Sequence, residues 1–286
     1  MSSPYKLPEG NVKISFSGGR TSGFMLHKIL EANGDVPERC KVVFANTGRE
    51  MPETLDFVQE CSERWRVPIT WLEYKNDENG VGFNVVNHNS ASRNGEPFDN
   101  LIGKRRRLPN VFERFCTQEM KVLTMRRYLV KQGWKNWHSA VGIRADEGHR
   151  AKIRPDSKET TYWPLLNDMV TQSDVMEFWG KQRLAFGFDL RVTKGFGNCD
   201  GCFLKSEHTL ATLWRLHPEK AKWWADQEAR VFEGKDRSRQ NLQIFKRRGD
   251  KGSSYEELGD FVQRQGDWIF DDEAYLCQAD DGECTG

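Results

Sequence analysis

A glycine-rich segment with three hydroxyls follows the first apolar stretch of the chain and reads Ser17-Gly18-Gly19-Arg20-Thr21-Ser22. The apolar spacing on either side predicts a strand before it and a helix after it. A helix that begins here points its first N–H groups and the positive end of its dipole at the turn, which favours an anion such as phosphate. Because the Gly-Lys-Ser/Thr ending is absent, this is not a Walker loop. A simple strand-to-helix turn is the alternative interpretation.

Cysteine is the second residue type that could do chemistry, and the chain has seven of them. An odd number without a secretory signal favours thiols or metal ligands over a disulfide framework. Cys199 and Cys202 have the C-x-x-C spacing that lets two thiolates converge on one metal centre. An iron–sulfur cluster, zinc and a metal-free redox pair all stay open. Cys40 and Cys61 stand in apolar surroundings and are interpreted as buried structural thiols.

The elements that must position these residues alternate along the first two thirds of the chain. Strands are predicted at 12–16, 41–45, 68–74 and 137–143, with helices between them, including 52–65 and 118–131. This order predicts an α/β fold, with a mostly parallel twisted sheet in a three-layer α/β/α arrangement. Residues 75–110 have no clear period and are predicted to be a long loop or lid.

Beyond residue 194 the alternation stops, and helices are predicted at 206–216 and 218–232. We therefore expect two units, a nucleotide-binding α/β domain at 1–194 and a cysteine-containing, mainly helical appendage at 195–286. Charges balance, with 43 basic and 42 acidic residues, so no overall field attracts nucleic acid or an acidic membrane. No stretch has the ~20 apolar residues of a membrane helix, and no signal peptide is seen. A cytoplasmic location is expected.

Four segments, in order, resemble motifs of the phosphoadenylyl-sulfate (PAPS) reductase-like family of the PP-loop superfamily. Residues 17–22 resemble the PP-loop signature Ser-Gly-Gly-x-Asp-Ser, and residues 46–54 resemble the segment Asp-Thr-Gly…Pro-Glu-Thr. Cys116 and Lys121 resemble a cysteine-x-x-x-x-lysine segment. Residues 142–150 resemble Gly-x-Arg-x-(Asp/Glu)…Arg, which closes over the nucleotide. The resemblance covers roughly residues 12–202.

This resemblance implies a Rossmann-like PP-loop domain that binds an adenine nucleotide. Carried over position by position, the nucleotide-binding residues are Ser15, Ser17, Gly18, Gly19, Arg20, Thr21, Ser22, Asn46, Thr47, Gly48, Lys121, Gly142, Arg144 and Arg150. Thr21 and Asn46 stand where the family pattern has aspartates. A Mg²⁺–triphosphate arrangement therefore loses two carboxylates, and an already activated adenylyl sulfate suits the site at least as well as ATP.

The resemblance also implies a [4Fe-4S] cluster, because adenylyl-sulfate reductases hold one with a cysteine pair and a later C-x-x-C. Three ligands carry over, Cys116, Cys199 and Cys202, while Thr117 replaces the second cysteine of the pair. Cys277 is our choice for the fourth ligand, and zinc on the same cysteines is the alternative. Cys284, in Glu-Cys-Thr, resembles the reductases' terminal Glu-Cys-Gly nucleophile and is the candidate catalytic thiol.

Three functions are compatible with these features. The first is a sulfonucleotide reductase, an oxidoreductase in which a thiolate attacks the sulfur and a thiol reductant protein is a possible partner. The second is an ATP-dependent sulfur transferase that adenylates and thiolates a nucleic-acid base. The third is a non-enzymatic nucleotide-binding module with a structural cysteine–zinc site. We favour the first.

A run of four cations at 104–107 lies in the predicted loop just before Cys116. Such a run is usually a solvated face. Its functional interpretation is contact with the sugar-phosphate end of a nucleotide or with a nucleic-acid backbone. In that case alanine at Arg105 and Arg106 would weaken binding without affecting folding.

Overall fold

The computed structural model describes residues 3–152, 158–182, 196–233 and 254–265. The predicted domain boundary between residues 194 and 195 lies outside these ranges, and so do Cys277 and Cys284. None of the helices within the described residues combines the length and apolar character needed to cross a membrane.

Six strands form one sheet in the order β4-β3-β2-β1-β5-β6. All neighbouring pairs are parallel except β3 and β4, which are antiparallel. The strands are β1 Val12–Ser15, β2 Cys40–Asn46, β3 Ile69–Asp77, β4 Gly80–Val86, β5 Trp137–Ala140 and β6 Glu159–Tyr162. The predicted α/β class with a mostly parallel sheet is confirmed, and the carboxyl ends of β1 and β2 meet at one edge.

Helices cover both faces of the sheet. They are α1 Arg20–Asn33, α2 Pro52–Trp65, α3 Glu96–Arg105, α4 Thr124–Lys131, α5 Pro164–Asn167, α6 Gln172–Lys181, α7 Glu207–Leu216, α8 Pro218–Phe232 and α9 Tyr255–Gln265. One apolar cluster joins one face of the sheet to α1, α2 and α6, and another joins the opposite face to α4. The sheet is therefore the middle of three layers.

The prediction of a long loop at 75–110 is wrong. This stretch contains β4, which pairs with β3 through the two-residue turn at 78–79, and then α3. The dipeptide Asn79-Gly80 is typical of hairpins, and Gly80 has φ 93°. Helix α3 was missed because polar residues flank its apolar face, which is formed by Phe98, Leu101 and Ile102.

The predicted helix at 118–131 is present, but its first half is a π-helix, Thr117–Leu123, before α4 begins. The Oγ1 atom of Thr124 donates to the carbonyl of Glu119 at 2.8 Å across this widened turn. The carboxylate of Glu119 in turn pairs with Arg105 at the end of α3. Periodicity alone does not distinguish the wider turn from an α-helix, and such turns are frequent at functional sites.

The C-terminal helices pack against the sheet domain. Trp214 of α7, Trp224 of α8 and Tyr255 of α9 share one apolar cluster with Met51 and Phe98. Helix α8 has the predicted bounds, and Ser206 caps α7 by accepting from the Thr209 amide at 3.1 Å. Helices α8 and α9 also contact the loop that carries Cys199 and Cys202.

Candidate functional site

The turn between β1 and α1 can only be built with glycine at its second position. Gly18 has φ 78°, a conformation that side chains rarely adopt. A Cβ atom there would lie 2.9 Å from Cγ2 of Thr54, because the turn packs against α2. Gly19 caps α1 without a side-chain hydrogen bond, and no acidic residue occupies the first turn of the helix. The positive end of the α1 dipole is therefore not neutralised by the helix's own first turn.

Ser22 holds the shape of this turn from within. Its Oγ accepts from the Ser17 amide at 3.1 Å, lies 2.9 Å from the Ser17 hydroxyl and donates to the Gly19 carbonyl at 3.0 Å. Ser22, Gly18 and Gly19 are all buried. The expectation that the Ser22 hydroxyl is an open donor is therefore corrected, because its hydrogen-bonding capacity is used inside the turn. Around the turn, Ser15, Ser17 and Arg20 are the partly exposed residues, and Phe16 is fully buried.

A cavity of about 220 Å³ opens beside this segment, between the sheet and the π-helix. Ser15, Ser17, Lys121 and Arg150, all predicted nucleotide-site residues, line it. The cationic lining residues are Lys13, Lys121, Arg126, Arg150 and Lys152. Glu159 lines the cavity as well and pairs with Lys13, so the other four cations leave an excess of positive charge there. This excess suits a ligand with several negative charges.

The segment 142–150 supports the turn and contributes to the cavity. Arg144 is 2% exposed, and its guanidinium donates to Oγ1 of Thr21 at 3.1 Å and pairs with Asp146 at 3.0 Å. The guanidinium of Arg144 therefore ties this segment to the start of α1. Gly142 lies against the same helix, because a Cβ there would be 3.4 Å from Cα of Ser22. Arg150 lines the cavity.

The loop after β2 faces the cysteines. Asn46 is fully buried, and its Nδ2 donates to Glu73 at 2.6 Å while its Oδ1 accepts from the Gly48 amide at 3.1 Å. The Asn46 side chain therefore holds this loop. Gly48 has φ 78° and sits against Pro97, where a Cβ would be 2.8 Å from Cδ. Arg20, predicted to belong to the nucleotide site, extends towards α6, with NH1 3.0 Å from Sδ of Met176.

Cys116, Cys199 and Cys202 line one small cavity of about 20 Å³. Thr47 and Lys121 line it as well, and the Thr47 hydroxyl lies 3.2 Å from Sγ of Cys199. Lys121 therefore contributes to both cavities. It can do so because it lies in the π-helix that separates them, five residues after Cys116.

Burial shifts the pKa values of Cys199 and of the nearby Glu50. Burial and the charge of Glu50 raise the pKa of Cys199 well above its usual value, although Lys121 acts in the opposite direction. Burial also raises the pKa of Glu50, against the opposing effects of Lys121 and of hydrogen bonds from Thr47. As a free thiol, Cys199 would thus be a weak nucleophile at neutral pH.

The C-x-x-C loop is held from both sides. Between its cysteines, Asp200 is fully buried and accepts from Nε1 of Trp224 at 2.8 Å. Gly201 is pressed against the same indole, since a Cβ there would lie 2.1 Å from Nε1 of Trp224. The Tyr255 hydroxyl donates to the Gly201 carbonyl at 2.6 Å. Helices α8 and α9 therefore fix the conformation of the loop.

Arg49, Glu50 and Asp200 were not predicted as site residues. Arg49 and Asp200 form a buried ion pair with an NH2–Oδ2 distance of 2.6 Å, and Glu50 forms an isolated antiparallel bridge with Cys199. The only sequence signal for them was charge next to motif positions. That signal cannot tell a buried pair from a solvated one.

Cys116, Cys199 and Cys202 are the predicted metal ligands within the described residues. Within the described ranges, no group of three His, Cys, Asp or Glu side chains is arranged to hold a metal ion. Three thiols at one cavity nonetheless form a soft donor set that fits iron–sulfur or zinc chemistry. The predicted fourth ligand, Cys277, and the candidate nucleophile, Cys284, lie outside the described residues.

Comparison with known proteins identifies similar chains. The family model of the phosphoadenosine phosphosulfate reductase domain matches residues 11–184, more than half of the 286-residue chain. The uncharacterized nin region protein ORF290 of Escherichia phage lambda is 32% identical over 200 residues. That alignment covers 68% of this chain and 66% of the phage protein, slightly less than two thirds of its length.

The solved structures that match include the crystal structure of phosphoadenylyl-sulfate (PAPS) reductase from Candida auris in a phosphate complex, with a TM-score of 0.41 and 16% sequence identity. The match covers 63% of this chain and 79% of the Candida auris chain.

Proposed function

The chain belongs to the phosphoadenosine phosphosulfate reductase domain family, a nucleotide-binding PP-loop family, and on that premise we propose that it is a sulfonucleotide reductase. In this proposal the larger cavity binds an adenine sulfonucleotide. The smaller cavity, lined by Cys116, Cys199 and Cys202, holds a [4Fe-4S] cluster with Cys277 as fourth ligand. The proposal rests mainly on the position of Lys121, because this residue lines both cavities.

The anionic end of the substrate has a defined set of partners. Ser17, just before the N-terminus of α1, lines the larger cavity together with the cations Lys121 and Arg150. Arg144 acts indirectly, by holding the start of α1 in place. These groups can neutralise a sulfate and a phosphate bound side by side, and Lys121 places that charge next to the cysteines.

The reaction requires a nucleophilic thiol, and Cys284 is the candidate. Its thiolate attacks the sulfur of the sulfonucleotide, so that an S–S bond forms and the S–O bond to phosphate breaks. The nucleotide leaves with the electron pair on its phosphate oxygen. A thiol of a reductant protein then displaces sulfite and forms a disulfide with Cys284. A [4Fe-4S] cluster, when bound by the cysteines, would supply a redox-active iron centre beside the sulfate.

Two features of the site favour a sulfonucleotide over ATP. Thr21 and Asn46 have no carboxylate to offer Mg²⁺. Their side chains are instead hydrogen-bonded within the protein, Thr21 to Arg144 and Asn46 to Glu73 and Gly48. An activated sulfonucleotide does not need a metal-bound triphosphate. The sulfur transferase is the alternative, and it predicts tighter binding of ATP than of adenylyl sulfate.

The proposal is tested with anaerobically purified full-length protein. We expect brown protein with broad visible absorption and stoichiometric iron and acid-labile sulfide. Cys199→Ala should bleach the protein, whereas Cys40→Ala, a buried thiol in the sheet core, should not. Binding of ATP, adenylyl sulfate and its 3′-phosphorylated form, measured by calorimetry, then ranks the substrates. Colourless protein containing stoichiometric zinc would contradict the cluster, and tightest binding of ATP would contradict the reductase.

A further inference from the structure

A buried polar cluster lies in the larger cavity, away from the PP-loop turn. Nζ of Lys13 is 2.8 Å from Oε1 of Glu159, and the Ser139 hydroxyl donates to the same oxygen at 2.5 Å. The side chains of Lys13 and Glu159 are 7% and 15% exposed. Both residues line the cavity.

The strand register places this cluster on one face of the sheet. Lys13 lies beside Ser139 on the neighbouring strand, and Ser139 lies beside Thr161 on the next. Lys13 also shares its face of β1 with Ser15, two residues or about 7 Å closer to the turn. The cluster is therefore set back from Ser15 by about 7 Å, on the scale of the separation between the phosphate and the base of a nucleotide.

A buried ion pair is unusual on this face of the sheet. Under α4 the same face of the sheet is apolar at β2 and β3, where Val43, Ala45 and Leu72 pack on Met125 and Leu129. Burying two charges costs desolvation energy, and apolar side chains of similar volume are often at least as stabilising. A ligand that uses the pair offers a reason for its position on a cavity wall.

The pair presents a donor next to an acceptor. Burial would raise the pKa of Glu159, but the charge and hydrogen bond of Lys13 and the hydrogen bond of Ser139 outweigh it, so the pKa lies below its usual value. Glu159 is therefore a carboxylate at neutral pH. The hydrogen bonds from Lys13 and Ser139 end on Oε1, and a hydrogen bond from the side chain of Trp137 also lowers the pKa of the carboxylate. A carboxylate has about four acceptor sites, so Glu159 keeps capacity for a further donor beside the ammonium group of Lys13.

We propose that Glu159 and Lys13 read the six-membered edge of an adenine base, with the carboxylate accepting from the 6-amino group and the ammonium donating to a ring nitrogen. This inference rests on the proposed nucleotide site and makes Glu159 its base-selecting residue. A 6-oxopurine in the same pose would place its carbonyl oxygen against the carboxylate. The unpaired acceptors then disfavour that base.

The test compares ATP with ITP, which carries a 6-oxo group, by calorimetry on the full chain. We expect wild-type protein to bind ATP about 10–100-fold more tightly, the size of one hydrogen bond to a charged group. In Glu159→Gln the ratio should fall to within about 3-fold, because the amide can rotate to donate to the 6-oxo group. The matched variant Glu228→Gln, at a buried glutamate on α8, should keep the wild-type ratio.

A second measurement needs no variant. The triphosphate of purine riboside, which lacks the 6-amino group, should bind wild-type protein at least about 10-fold more weakly than ATP. If ATP binds but the preference over ITP is absent, or persists unchanged in Glu159→Gln, this inference is overturned and the nucleotide site stands. If neither ATP nor a sulfonucleotide binds wild-type protein, the proposed function itself fails.

Discussion

Arg49, in the loop after β2, forms a bidentate ion pair with Asp200, between the two cysteines of the C-x-x-C loop. Nε lies 3.1 Å from Oδ1 and NH2 lies 2.6 Å from Oδ2. The Asp200 amide also donates to the Arg49 carbonyl at 2.8 Å. A loop of the sheet domain and a loop 150 residues later are thus locked together by side chains that are 5% and 0% exposed. The position of Cys199 depends on this lock, because it adjoins Asp200.

Removing the arginine should therefore be costly. Arg49→Met leaves the Asp200 carboxylate buried with Lys220 at 3.3 Å as its remaining cationic partner, and should lower the free energy of unfolding by about 3 kcal/mol. Arg230→Met breaks the half-exposed pair with Asp99 and should cost less than about 1 kcal/mol. Urea denaturation measures both. Equal losses in the two variants would show that the Arg49–Asp200 pair contributes no more than a surface contact.

Gly201 is predicted to be intolerant of any side chain. In Gly201→Ala the new methyl group would overlap the Trp224 indole, so we expect a loss of about 1–3 kcal/mol from overpacking. Gly103 is the control, because it lies in α3 with nothing within 4 Å of its Cβ position. Gly103→Ala should stabilise the protein by about 0.5–1 kcal/mol. Thermal or urea unfolding that ranks the two variants in the opposite order would contradict the packing described here.

Alanine substitutions at Gly18 and Gly10 distinguish the cost of backbone strain from the cost of overpacking. Both have positive φ, 78° and 81°, but a Cβ meets Thr54 only at Gly18. Gly10→Ala should cost about 1–2 kcal/mol from strain alone. Gly18→Ala should cost more, and it should also weaken nucleotide binding because the turn before α1 must shift. Calorimetry with adenylyl sulfate tests the second effect, and unchanged affinity in folded Gly18→Ala protein would remove the turn from the binding site.

Acid should destabilise the protein through His27. Its ring packs against Trp65 and Phe178, at centroid distances of 5.4 and 4.9 Å. Burial lowers its pKa below 6.5, although Glu31 opposes this effect. The unfolded chain therefore takes up the proton at higher pH than the folded one, so stability falls as the pH drops below about 6.5 and levels off below the folded pKa.

Urea denaturation between pH 7 and 5 measures this dependence. His27→Phe should flatten it, because the ionisable group is gone while the aromatic contacts are kept. Glu31→Gln should extend the loss to lower pH, because it removes the carboxylate that favours the charged imidazole. A pH dependence that is the same in wild type and His27→Phe would assign the effect to other groups.

Much of the fold follows from local patterns. Apolar periodicity predicted four of the five parallel strands, β1, β2, β3 and β5, and the bounds of α2 and α8, because these elements bury one continuous face. The short strand β6 was not predicted. The dipeptide Asn79-Gly80, at the start of β4, is also a local hairpin signal. Four ordered motifs predict that Ser17, Lys121 and Arg150 belong to one nucleotide site, and all three line one cavity.

The tertiary structure alone decided what each motif residue does. Whether a polar side chain faces a ligand or the protein depends on its neighbours in space, and those come from distant parts of the chain. Ser22 and Asn46 therefore turned inward, while Lys13 and Glu159, 146 residues apart, met across the sheet. For the same reason, local patterns did not predict the Arg49–Asp200 ion pair. Local sequence specifies which face a residue occupies, but only packing brings two such faces together.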